Sequence, residues 1–390
     1  MFADKMNGRE RWLSALWGKP VDRIPVWMGI PGKKSANIKY TDDFLPGWMA
    51  DENYRKMLLD FSCISDEINQ IDIYPFNRFL LTPEKYIERK EWVRMDNNIR
   101  EQNIIINTPH GELYDTDQRL RGIGTVWTTK YPVQNIEDLK KLACIPFDID
   151  YDEIDRLYVN YKKRLVDTGN DGILKIFLSS PIVVISGCMS FETFLELAYV
   201  EKDYFLELLD MITERYLEAL EAIFSKHDYD AIFWMGGSEQ CTPPMMNPHS
   251  FDEFVVPYDK KIVQFFRDHG KFIGCHCHGK IRYALSRMID IGYQATDPVE
   301  PPPQGDLNID EAVKIADGKI TLLGNFEFEE LENKNAEYIT QRTLEILKHS
   351  DKRIIIAASA SSLSIASENL VNNYYAILNA YKNFYGIEPR

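Results

Sequence analysis

Lys271-Phe272-Ile273-Gly274-Cys275-His276-Cys277-His278-Gly279-Lys280 reads as a buried strand with a polar end. Side chains on a strand alternate between its faces. His276 and His278 therefore point one way, and Cys275 and Cys277 the other. Two imidazoles on one face at a strand end make half of a metal site. The run Ala231-Ile232-Phe233-Trp234-Met235-Gly236-Gly237-Ser238-Glu239 has the same plan, an apolar strand closing in glycines and a carboxylate. If the two strand ends are neighbours, Glu239, His276 and His278 face one ion.

Outward from these segments the chain alternates strands with helices. Helices are expected near 7–18, 135–143, 151–168, 190–201, 203–226, 249–269, 279–290, 309–316, 336–349 and 366–384. Further strands are expected at 22–29, 173–178, 294–297, 320–325 and 353–358. Continuously apolar strands between helices mean a parallel sheet covered on its outer face. Seven strands are visible, and an eighth is expected near 120–128. The fold class is therefore α/β, a distorted (β/α)8 TIM barrel with N-terminal additions. One barrel domain should span 1–390, with about 40–130 a decorated N-terminal region. Within that region 103–114 has the pattern of a hairpin.

Polar residues gather where the strands end: Ser179, Ser180, Glu239, His276, His278, Asp297, Glu300, Asn325, Glu327 and Ser359. Strand ends form the catalytic rim of such a barrel, and burying so many polar groups without a role would be costly. Trp27, Phe177 and Trp234 are placed to shape an apolar pocket for a flat or methoxylated substrate.

The net charge of −15 argues against nucleic acid, which needs a basic surface. The 6 cysteines have no framework spacing and suit a reducing compartment. Met1-Phe2-Ala3-Asp4-Lys5 opens no apolar leader, and no run approaches the roughly 20 apolar residues of a membrane span. A cytoplasmic protein without membrane contact is expected. No glycine-rich dinucleotide or phosphate loop follows a strand.

Four segments resemble the uroporphyrinogen decarboxylase superfamily: Lys19-Pro20-Val21-Asp22-Arg23-Ile24-Pro25, Pro248-His249-Ser250-Phe251-Asp252-Glu253-Phe254-Val255-Val256-Pro257-Tyr258, Leu323-Gly324-Asn325-Phe326-Glu327 and Glu368-Asn369-Leu370. The resemblance implies a distorted (β/α)8 barrel with one of two chemistries. One is metal-free decarboxylation of tetrapyrrole acetate arms; the other is zinc-dependent methyl transfer to or from a corrinoid or a thiol. The decarboxylases carry an arginine-rich loop and a histidine near the last strand. Here Met28-Gly29-Ile30-Pro31-Gly32-Lys33-Lys34 has no arginine, and Ala357-Ala358-Ser359-Ala360-Ser361 has no histidine. The methyltransferases use His-x-Cys and a later cysteine; this chain has His276-x-His278 and Ser359 in those places.

The resemblance thus implies a variant site. Glu239, His276 and His278 would hold a divalent metal, with Zn²⁺ expected and Fe²⁺ or Mn²⁺ as alternatives. Asp297 would join them in catalysis, and Asn325 and Ser359 would contact a cofactor. The implied activity moves a methyl group between a small methylated compound and a corrinoid protein or thiol. A corrinoid would ride on a partner protein, because the chain has no Asp-x-His-x-x-Gly signature. The alternatives are a decarboxylase of another carboxylated substrate, held by Lys33, Lys34 or Arg23, and a catalytically inactive binding subunit. Dimers are frequent in the superfamily, so a homodimer is expected.

Overall fold

A computed structural model describes residues 5–30, 44–94 and 98–387, so Lys33 and Lys34 lie outside the described residues. Twelve strands are described: β1 Val26–Trp27, β2 Glu67–Ile71, β3 Ile87–Arg94, β4 Ile99–Thr108, β5 Gly111–Leu120, β6 Val126–Lys130, β7 Gly172–Ser179, β8 Ile232–Gly236, β9 Ile273–His276, β10 Ala295–Val299, β11 Thr321–Phe326 and β12 Ile354–Ala358. Eight of them form one parallel sheet in the order β1-β12-β11-β10-β9-β8-β7-β2.

This sheet curls around its own interior. Trp27, Ile68, Ile173, Phe177, Ile232, Trp234, Ala295, Leu323, Ile355 and Ala357 come from seven strands and pack into one cluster. β9 contributes Gly274 instead of a side chain. A Cβ there would lie 2.6 Å from the Trp234 ring, so the indole fills the space. Trp12 and Leu16, on the helix Gly8–Leu16, belong to the same cluster. Among the described residues β1 and β2 are not hydrogen-bonded to one another, which makes the barrel a distorted one with a seam.

The expected eighth strand near 120–128 is a correction. That segment ends β5 and begins β6, which belong to a separate antiparallel sheet in the order β3-β4-β5-β6. The eighth barrel strand is β2, Glu67-Ile68-Asn69-Gln70-Ile71. It pairs with β7, and among the described residues no strand pairs with its other side. An edge strand that is half polar has no continuous apolar run to announce it. The hairpin expected over 103–114 is present as β4 and β5, closed at Thr108 and Gly111.

The second sheet is bound to the barrel. Ile104, Ile106 and Leu113 are buried in the core that packs beneath the barrel helices. Beside it Gly124 N donates to Leu363 O at 2.8 Å, in the loop after β12. Past β6, Val133 N donates to Cys188 O at 3.1 Å, beyond β7. The helix expected over 249–269 is two, Ser250–Phe254 and Val256–Asp268, broken where Pro257 offers no backbone N–H. No helix among the described residues is long and apolar enough to cross a membrane.

Candidate functional site

The pleat of β9 sorts its end as expected. Cys275 and Cys277 are fully buried in the core. His276 and His278 keep side-chain exposures of 26% and 36%. Register sets Gly236 of β8 and Asp297 of β10 on either side of His276. Gly236 is required there, because a Cβ would meet Phe177 at 2.4 Å and His276 Cβ at 3.0 Å.

Two imidazole–carboxylate pairs result. His276 Nδ1 lies 3.0 Å from Asp297 Oδ2, and His278 Nδ1 lies 2.9 Å from Glu300 Oε1. Both carboxylates are only 5% exposed. The other oxygen of Asp297 accepts from Trp234 Nε1, and the other oxygen of Glu300 accepts from Gly279 N. The rings meet edge to face with centroids 4.7 Å apart. Burial pushes the Asp297 carboxyl up, but the charge and hydrogen bond of His276, the charge of Lys175 and the indole N–H outweigh it and hold it below its ordinary value. An ionised carboxylate only accepts hydrogen bonds. Nδ1 of His276 therefore donates to Asp297, and in the neutral imidazole that tautomer leaves the lone pair on Nε2. Burial acts to lower the His278 pKa. The hydrogen bond and charge of Glu300, followed by the charges of Glu239 and Asp297, hold it above the ordinary value.

Glu239 stands apart from this pair of pairs. The chain leaves β8 at Gly237, whose φ of +96° starts a 3-10 turn over Ser238–Cys241. That turn, not the strand pleat, sets the Glu239 side chain. Its charge is felt at His278, but its Oε2 is buried with no hydrogen-bond partner. Among the described residues no group of three or more histidine, cysteine or acidic side chains is placed to hold a metal ion. Glu239, His276 and His278 thus do not form the expected three-ligand centre, and the residues as placed do not fit a resident Zn²⁺.

Asn325 and Ser359 are both engaged within the fold. Asn325 is fully buried and spent on the fold. Its amide donates to Val299 O and Leu307 O at 2.8 and 3.1 Å, and its Oδ1 accepts from Arg342 at 2.9 Å. Ser359 Oγ donates to Glu327 Oε1 at 3.0 Å and accepts from Phe328 N at 2.9 Å. The Asn325 side chain is thus closed off from any cofactor, whereas Ser359 keeps part of its surface open. Arg23, considered for a substrate carboxylate, is 3% exposed and donates to Ile64 O and Tyr381 OH.

Sequence reasoning missed Lys175. It stands on β7, 7% exposed, with its ammonium over the rings of Trp27, Trp234 and Phe177. Those are the aromatics expected to shape an apolar pocket, and an ammonium stands among them. A lone lysine inside Ile173-Leu174-Lys175-Ile176-Phe177-Leu178 was the available signal. A cavity of about 630 Å³ lies away from this site, lined by Lys19, Val21, Asp317, Ile320 and Arg353 before the strands begin. It contains no histidine, and catalytic sites of such barrels lie at the other end.

The sequence profile of the uroporphyrinogen decarboxylase (URO-D) family matches residues 125–380. A comparison with curated protein sequences finds no significant match. Among solved structures the chain is similar to a methyltransferase from Methanosarcina mazei, at 17% identity and a TM-score of 0.63, over 98% of this chain and 100% of that one. It also aligns with a B12-independent methionine synthase from Shewanella sp. W3-18-1 in complex with selenomethionine. That alignment has 11% identity over 98% of this chain and 97% of that one, and its TM-score of 0.39 is too low to bear on the fold. The M. mazei structure shares the fold, and the profile runs from β6 into the last helix, Glu368–Tyr385, taking in both imidazole pairs. With well over half of its length matched, the chain belongs to the uroporphyrinogen decarboxylase family.

Proposed function

We propose that this protein is a methyltransferase that moves a methyl group between a small methylated compound and a corrinoid protein or a thiol. The observation that carries the reading is the paired His276–Asp297 and His278–Glu300 arrangement at the strand ends. Each imidazole is oriented by a buried carboxylate through Nδ1, which leaves Nε2 for proton transfer at the rim. With a thiol acceptor, Nε2 takes the S–H proton, the thiolate sulfur bonds to the methyl carbon, and the donor's heteroatom leaves with the electron pair. The same nitrogen then returns the proton to that heteroatom. A corrinoid acceptor would supply the electron pair itself; the imidazole that protonates the leaving heteroatom would then have to start as imidazolium, which Glu300 favours at His278. No step runs through a metal, since the described side chains do not gather a third ligand. The fold shared with the M. mazei methyltransferase supports the reading at the level of architecture.

Decarboxylation of a polycarboxylated tetrapyrrole fits less well. It calls for several cations at the mouth, and among the described candidates Arg23 is spent on the fold. The test supplies the protein with cob(I)alamin or a thiol and a panel of O-, N- and S-methyl compounds, and follows methylcobalamin or thioether formation. Methyl transfer that falls at least about a hundredfold in His276→Ala and His278→Ala is expected. Release of CO₂ from carboxylated compounds, with no methyl transfer from any donor, would overturn the proposal.

A further inference from the structure

The Lys175 ammonium has no hydrogen bond or ion pair among the described residues. It lies 4.4 Å from the ring centroid of Trp27, 5.0 Å from that of Trp234 and 5.6 Å from that of Phe177. Ring faces offset part of the cost of removing a cation from water, but they accept no hydrogen bonds in the ordinary sense. The acid whose charge is felt at Lys175 is Asp297, and both Asp297 oxygens are already bonded to His276 and Trp234. Among the described residues its three N–H donors are therefore unfilled inside the barrel. A buried charge kept in this state is costly unless something arrives to pair with it. Phe177 joins it to the rim: the same ring meets the edge of His276 at 6.1 Å.

We infer that Lys175 is the anchor for a carboxylate on the substrate, so that the methyl donor or acceptor is a small organic acid. The inference deepens the methyltransferase reading and rests on it for the location of the substrate. One ammonium among three rings suits a monoanion joined to an apolar or flat body. The carboxylate takes the unfilled N–H donors, and the rings flank the carbon next to it. The reacting end of such a molecule extends along Phe177 toward the two imidazoles. Burial lowers the Lys175 pKa, and pairing with an incoming anion works in the opposite direction.

Binding tests this without turnover. The probes are benzoate and acetate, each against its uncharged amide, followed by calorimetry and by fluorescence of the tryptophans around the ammonium. In the unmodified protein a carboxylate should bind roughly tenfold or more tighter than its amide, as expected for a charge-assisted hydrogen bond. Lys175→Met should erase that preference while folding normally, since an apolar residue in place of a buried charge is commonly neutral or stabilising. Equal binding of acid and amide to the unmodified protein would overturn the inference, as would a preference that survives in Lys175→Met. Lys175-dependent benzoate binding in a protein that transfers no methyl group would remove the proposed reaction and leave the anchor in place.

Discussion

Asp297→Asn is the sharpest perturbation of the candidate site, because an amide cannot do both of the carboxylate's tasks. Trp234 Nε1 can only donate, so the amide oxygen must stay with the indole. The NH₂ group then faces His276 Nδ1, 3.0 Å from the original oxygen. Two donors cannot share that contact, so Nδ1 gives up its proton and Nε2 gains one. The variant presents an N–H where the unmodified protein presents a lone pair. Exchanging a buried charged acceptor for a neutral group costs on the order of 2 kcal/mol, a fall in Tm of several degrees at most. The functional loss is far larger: an enforced wrong tautomer in a hydrolase triad lowers kcat by about 10⁴. The assay is long-range ¹H–¹⁵N correlation on histidine-labelled protein, which reads the tautomer without a substrate. His276 should show a protonated Nδ1 in the unmodified protein and a protonated Nε2 in the variant. His278, held by Glu300, should not change tautomer. A variant in which His276 keeps its Nδ1 proton would refute the reasoning.

Three other outcomes are expected. Purified protein should carry substoichiometric divalent metal; one equivalent of zinc that disappears in a His276→Ala, His278→Ala protein would restore the three-ligand centre the geometry denies. Gly274→Ala should shift the urea midpoint down by about 1–3 kcal/mol of stability, since its Cβ would lie 2.6 Å from the Trp234 ring; an unchanged midpoint would show that the indole is not tightly held. Burial pushes the Asp259 carboxyl from 3.8 up to about 7, against hydrogen bonds from Ser180 at 2.6 Å and Tyr293 at 2.8 Å. The folded protein keeps that proton after the unfolded chain has lost it, so its share of stability is present below about 4 and is lost as pH rises to about 7. Urea midpoints at about pH 5 and about pH 8 should therefore differ less in Asp259→Asn than in the unmodified protein; an equal difference in both would exclude it.

The segments that could be read from sequence are those whose structure is local. The two-residue pleat placed His276 and His278 on one face and Cys275 and Cys277 in the core, and apolar runs marked seven of the eight barrel strands. What could not be read depends on neighbours. Asp297 and Glu300 were visible as polar residues at strand ends, but their pairing with the histidines follows from β10 lying beside β9. Glu239 was placed on a strand end, whereas Gly237 turns the chain into a 3-10 helix before it. Asn325 looked like a rim residue because its late partner, Arg342, is 17 positions away on another element. Lys175 was hidden by the apolar residues around it, and β2 by its own polarity.

The second sheet bears on how the cylinder keeps its shape. Two attachments beside it fall on loops after β12 and past β7, the strands that flank β1 and β2. It therefore straps the seam where, among the described residues, the cylinder's own hydrogen bonds lapse, doing by tertiary contact what a ladder would do elsewhere. The arc from β8 to β11, where both histidines stand, lies across from that strap. The imidazoles thus stand on the part of the sheet whose shape rests on its own ladder, from β8 through β9 and β10 to β11.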